Sequence, residues 1–561
     1  MALRTLLSLV FLFLASDVAQ AQIDLDNLHN YANQGIPAYI TRDTTPFDNP
    51  ITDEGATLGR VLFYDKLLSS DNTVSCASCH QQEHAFSDLN PVSTGINGNL
   101  TPRHSMRLVN ARFGDEQKFR WDETASTLEQ QMTMPIRSEE EMGYSGANGN
   151  PSIADLIQEM NATDHYPQLF DAVFGDSTIT EDRMQVAMAQ FVRSIQSFDT
   201  KCDIGRAQVS SELEDFPNFT VDENIGKLLF MEDFQWVEDI HTVRDVPGDP
   251  GGDFPVARRI SGGFNCAACH VAPEFSIDPN SLNNGFVRPP SNFPGDPSWL
   301  DGTRSPTLRD LIKADGDTLN GGMFHSGQAL HLEDIFGHYT FRRLDELDNP
   351  NLDPRLVRVS PTTGDNIAIH LNNTRRERQR VFAFLATLTG TDVYTNEKWA
   401  DPFDENGNLP FIVRSEGFEV TRGVLFGSGD LSLLAESDDE DLLVIRNPLS
   451  TQAITEIEFN ATSHTATPAA ISVTVEGSVF ARSTVEQAIE IYDFDVGEWL
   501  LLDSQSASSF EDLTVNLEVP GEVERFVEPA SRAVKLRISY RSLSNRQQFA
   551  AGIDQITWEI R

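Results

Sequence analysis

The chain has 561 residues, with 85 Asp or Glu against 42 Lys or Arg and a formal net charge of −43. That length allows about three domains, and so acidic a chain excludes a nucleic-acid binder; it is a solvated surface that attracts basic partners at low salt. Its five cysteines do not make a disulfide framework, because four fall in two Cys-x-x-Cys-His units and Cys202 stands alone.

In chain order, residues 1–21 read as a secretory signal peptide: Arg4, the apolar run LLSLVFLFLA, and the small-x-small site AQA at 19–21. The run is too short to cross a bilayer and no later stretch is apolar enough. The mature chain is therefore expected to be soluble, without a transmembrane segment, and exported to the periplasm or cell envelope. Residues 22–50 look extended and polar. Helical periodicity dominates from 51 to about 205; in DRMQVAMAQFVRSIQSFD, Met184, Met188, Phe191 and Ile195 share one face. Cys202 reads as a buried small residue.

A second segment, 215–395, opens with FTVDENIGKLLF, which echoes DEGATLGRVLFYD at 53–65. Each precedes a Cys-x-x-Cys-His unit, so the two form an internal duplication. The second copy carries a Pro/Gly-rich insertion, VPGDPGGDFPVARRISGG, that reads as an irregular loop. Near its end Thr374 and Glu377 have capping-box spacing, and Gly390 is the expected C-cap. After the stretch TNEKWADPFDENGNLP the pattern changes to short alternating runs, AISVTVEGSV, LTVNLEV, AVKLRISY and ITWEI, which predict an antiparallel β-sandwich. It holds no catalytic constellation. An accessory role, or docking to an adhesion or carbohydrate ligand, fits such a module.

Paired cysteines serve zinc, dithiol redox chemistry or covalent haem. Zinc needs four tetrahedral ligands, and a thioredoxin-like pair needs a βαβ context that is absent here. A histidine directly after the second cysteine suits c-type haem, with two thioether links and the imidazole as proximal ligand. One match would be weak; two, in an exported and duplicated helical chain, are strong. Cys76, Cys79 and His80 are thus expected to hold a first haem, and Cys266, Cys269 and His270 a second. Whether such a protein carries electrons or attacks an oxidant depends on the sixth iron position.

Beyond these units, LGRVLFYDKLLSSDNTVSCASCH, RLVNARF, FRWDETASTLEQQMTMPIRSEEEMGY, SPTLRDL and LEDIFGHYT follow one another in that order. Over roughly 50–395 the chain resembles the bacterial di-haem cytochrome c peroxidase and MauG family; the β-rich tail lies outside the resemblance. It implies two mainly α cytochrome c-like haem domains, at 22–210 and 211–395, then a linker at 396–410 and the β-sandwich at 411–561. The family's peroxidase branch has a distal histidine sixteen residues after the proximal one, where this chain has Ile96. His84, four residues after His80, is expected on the same helix or facing solvent, and His104 at the surface or behind the ligands. The resemblance thus implies an open, five-coordinate first haem, as in the MauG branch.

It also implies Glu141, in SEEEMGY, as the group that moves peroxide's protons, and Trp121, in FRWDE, as the link between haems. Here WDETA stands where the family often has WDGRA, so the local loop is expected to differ. For the second haem's sixth ligand the aligned residue is Tyr339, with Met323 and His338 as competitors and His325 beside the haem. A Ca²⁺ ion would use Asn110 and the carbonyls of Arg304 and Pro306. The expected enzyme takes hydrogen peroxide and draws electrons from a small cytochrome c or cupredoxin, or oxidises a protein substrate. The rival readings are a di-haem electron carrier without catalysis, and a β-sandwich binding module with a degenerate haem region.

Overall fold

Each Cys-x-x-Cys-His unit sits just beyond a capped amphipathic helix. The computed structural model describes residues 22–241, 254–286, 304–313, 318–340, 347, 349–435, 437, 441–507, 510–544 and 547–561. The expected signal peptide and the first half of the Pro/Gly-rich insertion lie outside the described residues. The helices are α1 (Asp53–Tyr64), α2 (Cys76–Cys79), α3 (Leu128–Arg137), α4 (Ile153–Asn161), α5 (His165–Phe174), α6 (Glu181–Ser194), α7 (Lys201–Arg206), α8 (Val221–Met231), α9 (Leu332–Thr340) and α10 (Arg375–Ala386).

Thr52 caps α1 by accepting from the Gly55 amide at 3.0 Å, and Asp53 and Glu54 lie in its first turn, where the helix dipole favours them. The helix packs on α6, whose Met184, Met188 and Phe191 are buried as the periodicity predicts, together with Ile195 just beyond. Gly59 is needed at the crossing, because a Cβ there would collide with the Ala187 carbonyl. The second segment repeats this design. α8 packs on α10, and a Cβ on Gly226 would collide with the Arg380 carbonyl. The residue after each glycine is a buried cation: Arg60 donates to the Glu397 carbonyl at 2.9 Å, and Lys227 to the Glu214 carbonyl. The duplication read from sequence is therefore a repeated helix crossing.

Thr374 and Glu377 form the capping box expected for α10. Gly390 is not its C-cap. The helix ends at Thr387, and the Gly390 amide donates to Asp310 Oδ1 at 2.9 Å.

The second haem segment is less helical than expected. It carries a four-stranded sheet in the order β1-β2-β6-β5, from β1 (Phe234–His241), β2 (Phe254–Gly262), β5 (Val357–Val359) and β6 (Asn366–His370). The described half of the insertion is thus a strand, not a loop. β2 pairs antiparallel with β1 and parallel with β6. Val256 and Ala257 are buried, and Arg259 donates to the Gly263 carbonyl and to Glu377. A two-stranded ribbon, β3 (His270–Val271) and β4 (Ser276–Ile277), follows the second cysteine pair.

The tail forms two antiparallel sheets. One has the order β15-β12-β17-β10-β9 with β7 on β17, and the other β14-β13-β16-β11-β8. Their strands are β7 (Phe411–Arg414), β8 (Gly417–Arg422), β9 (Val424–Phe426), β10 (Leu442–Ile445), β11 (Ile454–Thr462), β12 (Ile471–Phe480), β13 (Val485–Asp493), β14 (Glu498–Ser506), β15 (Leu513–Glu518), β16 (Ala533–Ser542) and β17 (Ala550–Ile560). Alternate residues such as Ile489, Ile491, Leu536 and Ile538 meet Val473, Val475, Ile556 and Trp558 in one core, as the period-two pattern requires.

Residues 396–410 pack on the first segment: Trp399 is fully buried and its carbonyl accepts from Tyr64 at 2.7 Å. Ile23 exchanges backbone hydrogen bonds with Pro410 and Ile412. Gln168 on α5 donates to the His464 carbonyl at 2.7 Å, and Thr465 to Asp164 at 2.6 Å. His464 lies against Phe411 with ring centroids 4.4 Å apart.

Two predictions follow from these contacts. Arg309 and Asp203, both almost fully buried, form a bidentate pair at 2.8 and 2.9 Å that ties the haem segments together. Asp203→Ala strands the guanidinium and is expected to cost about 3–5 kcal/mol in chemical denaturation. At the tail junction His165 Nε2 and His464 Nδ1 are buried without hydrogen-bond partners among the described residues. Burial pushes both imidazoles down to about 4; Asp164 opposes this at each, and Arg532 and His165 reinforce it at His464. Folded values below the unfolded 6.5 mean a contribution present above pH 6.5 and lost as pH falls towards 4. Small-angle scattering is expected to show the tail undocking over that window, with the response reduced in His464→Phe.

Candidate functional site

The first unit is built by one helical turn. Ser75 donates its amide to Ser78 Oγ at 3.0 Å, α2 carries both cysteines, and the His80 amide closes the turn on the Cys76 carbonyl at 2.9 Å. His80 Nδ1 lies 3.0 Å from the Phe86 carbonyl. A carbonyl only accepts, so Nδ1 carries the proton and Nε2 keeps its lone pair. His270 repeats this, with Nδ1 2.9 Å from the Pro306 carbonyl. Burial lowers the pKa of both rings, His270 to about 4, so each is neutral and shaped as a metal ligand.

None of these cysteines is in a disulfide among the described residues, and burial pushes the thiols of Cys76 and Cys266 up to about 12 and that of Cys79 to about 11. Dithiol redox sites have depressed thiol pKa values, and no group of three metal-ligating side chains occurs among the described residues. Zinc and thioredoxin-like chemistry therefore do not fit, whereas two thiols and a neutral imidazole fit covalent haem at both units. Cys202 is buried and unpaired by any disulfide, as read from its sequence.

Glu141 stands in the turn after α3. The Met142 and Gly143 amides both donate to the Ser138 carbonyl, and Gly143 takes a φ of 86°. Glu139 accepts from Ser145 and Asn148, and Glu140 from Ser138, on the solvent side. Burial raises the Glu141 carboxyl above the ordinary glutamate range, with Arg120 opposing and Glu140 and Asp122 reinforcing. Its charge is felt by both Cys76 and Cys79. Ile96 lies alongside, its amide donating to the Glu141 carbonyl at 3.0 Å and its side chain 4% exposed in the apolar core. His104 is buried rather than at the surface; its Nδ1 faces the Asn90 carbonyl at 3.1 Å and its Nε2 lies 3.4 Å from Ser87 Oγ. His84 sits on a separate short 3-10 turn, not on the helix of His80.

Trp121 is buried, and its Nε1 donates to the His104 carbonyl at 2.7 Å. In its loop Glu123 takes a φ of 57°, a left-handed conformation that glycine adopts at less cost. Trp121 borders a cavity of about 200 Å³, mainly apolar, walled by Cys266, Cys269 and His270, and by Met323, His325 and Tyr339. His325 lies edge-on to the indole at 6.3 Å. Of the three candidate sixth ligands, Met323 and Tyr339 reach this cavity. His338 instead turns Nε2 to the Asn284 carbonyl at 2.9 Å.

Of the expected calcium donors, the Asn110 side-chain oxygen accepts from the Ser197 amide at 2.8 Å and the Pro306 carbonyl accepts from His270 at 2.9 Å, and each oxygen has a second lone pair. Sequence reasoning missed one residue of the site: Arg107, an arginine inside SMRLVNARF that lines the cavity.

The sequence profile of the di-haem cytochrome c peroxidases matches residues 53–208. The methylamine utilization protein MauG of Methylophilus methylotrophus is 32% identical over 304 residues, 52% of this chain and 74% of that protein. MauG of Methylorubrum extorquens is 28% identical over 304 residues, 52% of this chain and 70% of that protein. A solved MauG-like protein associated with microbial copper homeostasis aligns at 25% identity with a TM-score of 0.47, over 66% of this chain and 99% of its own.

The donor chemistry gives a direct check. Replacing Cys266 and Cys269 together by alanine is expected to halve the covalently bound haem, read by a pyridine haemochrome assay against protein concentration. Unchanged haem content would contradict the assignment of that unit.

Proposed function

Because the chain belongs to the di-haem cytochrome c peroxidase and MauG family, an oxidoreductase family acting on peroxide, we propose that it is an exported di-haem c-type enzyme using hydrogen peroxide at its first haem. His80 would ligate that haem and Cys76 and Cys79 would attach it; His270, Cys266 and Cys269 would hold the second. When bound, the haem iron would supply the electrons for cleavage of the peroxide O–O bond. Everything else falls to the chain's own side chains.

One observation carries the reading. Burial raises the carboxyl of Glu141, and its charge is felt by both first-unit thiols. Ile96 beside it offers no ligating atom. A carboxylate there takes the proton from peroxide's near oxygen and returns it to the far oxygen, which leaves as water. The raised pKa brings the acid closer to the proton it must return. Trp121, fixed through its Nε1, offers an oxidisable ring at the edge of the second cavity. Tyr339 is the sixth ligand we favour over Met323; an anionic phenolate stabilises oxidised iron and suits a haem that stores an oxidising equivalent.

The two electrons that complete peroxide reduction come from outside, either from a small cytochrome or cupredoxin or from side chains of a protein substrate. The net charge of −43 favours a partner with a basic face. The chain is organised as a cleaved signal, two haem domains and a sandwich that serves localisation rather than turnover. Calcium at Asn110 would further brace the haem domains. No described helix is long and apolar enough to cross a membrane.

Glu141→Gln is expected to keep both haems and to lower peroxide turnover by about 10²–10⁴-fold. In the unmodified protein kcat/KM is expected to rise with pH through a pKa above the usual glutamate range, as the base loses its proton, and the variant loses that limb. Turnover unchanged in the variant would remove Glu141 from the role.

A further inference from the structure

Three arginines line the cavity at the second Cys-x-x-Cys-His unit: Arg107, Arg304 and Arg355. Two have acids at hand. Arg304 pairs with Glu116 at 2.6 Å, and Arg355 pairs with Asp353 at 2.6 Å and with Asp278. Arg107 has no acid within ion-pair distance among the described residues. Its Nη2 donates to the Thr307 carbonyl at 2.8 Å, while its Nε is buried with no hydrogen-bond partner among the described residues. The residue is 9% exposed. Burial pulls its pKa down to about 10, with Asp310 and Tyr394 opposing, so it remains a cation at neutral pH. Asp310 Oδ1 accepts from the Gly390 amide and from the Tyr394 hydroxyl, its Oδ2 is buried with no hydrogen-bond partner among the described residues, and burial raises its carboxyl, which weakens it as a counter-charge.

A buried guanidinium left in this state is strongly unfavourable unless an anion joins it. Guanidinium geometry suits a planar carboxylate. The group expected against Cys266, Cys269 and His270 carries carboxylates of its own. We infer that Arg107 is the counter-charge for a propionate of the haem held by Cys266 and Cys269, a cation lent by the first haem segment to the cofactor of the second. The inference rests on the di-haem reading of the cavity. Arg107 is then a positioning residue. It would hold a carboxylate of the second haem near Thr307, which adjoins the Pro306 carbonyl that accepts from His270. It also places a positive charge beside that haem, which favours the reduced iron.

The test uses the holoprotein with Arg107→Gln and Arg107→Lys, comparing haem content and both reduction potentials by optical redox titration at pH 8. Two haems are expected throughout. In Arg107→Gln the second haem's potential is expected to fall while the first haem's stays near its original value; Arg107→Lys keeps the charge and restores most of the shift. Two haems with an unchanged second potential in Arg107→Gln would overturn the inference and leave the di-haem reading standing. A protein with no haem at Cys266 and Cys269 would overturn both. Should Arg107→Gln not fold, a crystal structure of the unmodified holoprotein decides: a propionate oxygen in hydrogen-bond contact with Arg107 supports the inference, and both propionates placed elsewhere overturn it.

Discussion

Two hydrogen bonds, from His80 Nδ1 to the Phe86 carbonyl and from His270 Nδ1 to the Pro306 carbonyl, set the terms for the rest of the molecule. Each fixes a tautomer, and with it the nitrogen that can meet iron. Each also needs a backbone carbonyl held still at the right place. Phe86 does this from a left-handed φ of 57°, after Ala85 at 55°. Pro306 does it from the segment that also contains Arg304, Thr307 and Arg309. Arg309 ties that segment to Asp203 of the first half, and Arg107 reaches it through Thr307. The ligand geometry of one half thus depends on packing against the other.

The duplication explains how one design yields two different sites. Gly59 and Gly226 allow the same close helix crossing, and Arg60 and Lys227 fill equivalent buried positions. The distinction lies in the side chains around each unit. In the first half the turn after α3 carries Glu141, and Ile96 lies alongside it, an acid and an inert side chain. In the second half the cavity carries Met323 and Tyr339, side chains that can bind iron. Under the proposed function Glu141 would serve as the acid–base group of one centre and Tyr339 or Met323 would ligate the other, so that one centre meets an oxidant and the other stores charge.

Much of this was legible in the sequence, for identifiable reasons. The Cys-x-x-Cys-His units are contiguous, so no folding is needed to bring their ligands together. The face of α6 and the alternation of the tail strands follow from backbone periodicity. What was not legible depends on distant contacts. Phe254–Gly262 lies in a Pro/Gly-rich stretch and becomes a strand because β1 and β6 flank it. Three glutamates in a row look alike until the turn after α3 directs them differently. His338 and Tyr339 are neighbours, and only the helix orientation of α9 separates one bonded to Asn284 from one lining the cavity. Arg107 looked like any basic residue in a mixed stretch, since its missing partner is a three-dimensional fact.

The account depends on the first haem having no side chain on its far face. Electron paramagnetic resonance of the ferric protein at neutral pH reads the spin state of both irons at once. The account predicts a high-spin signal from the haem at His80 together with a low-spin signal from the haem at His270. Two low-spin signals, unchanged on adding peroxide, would contradict it.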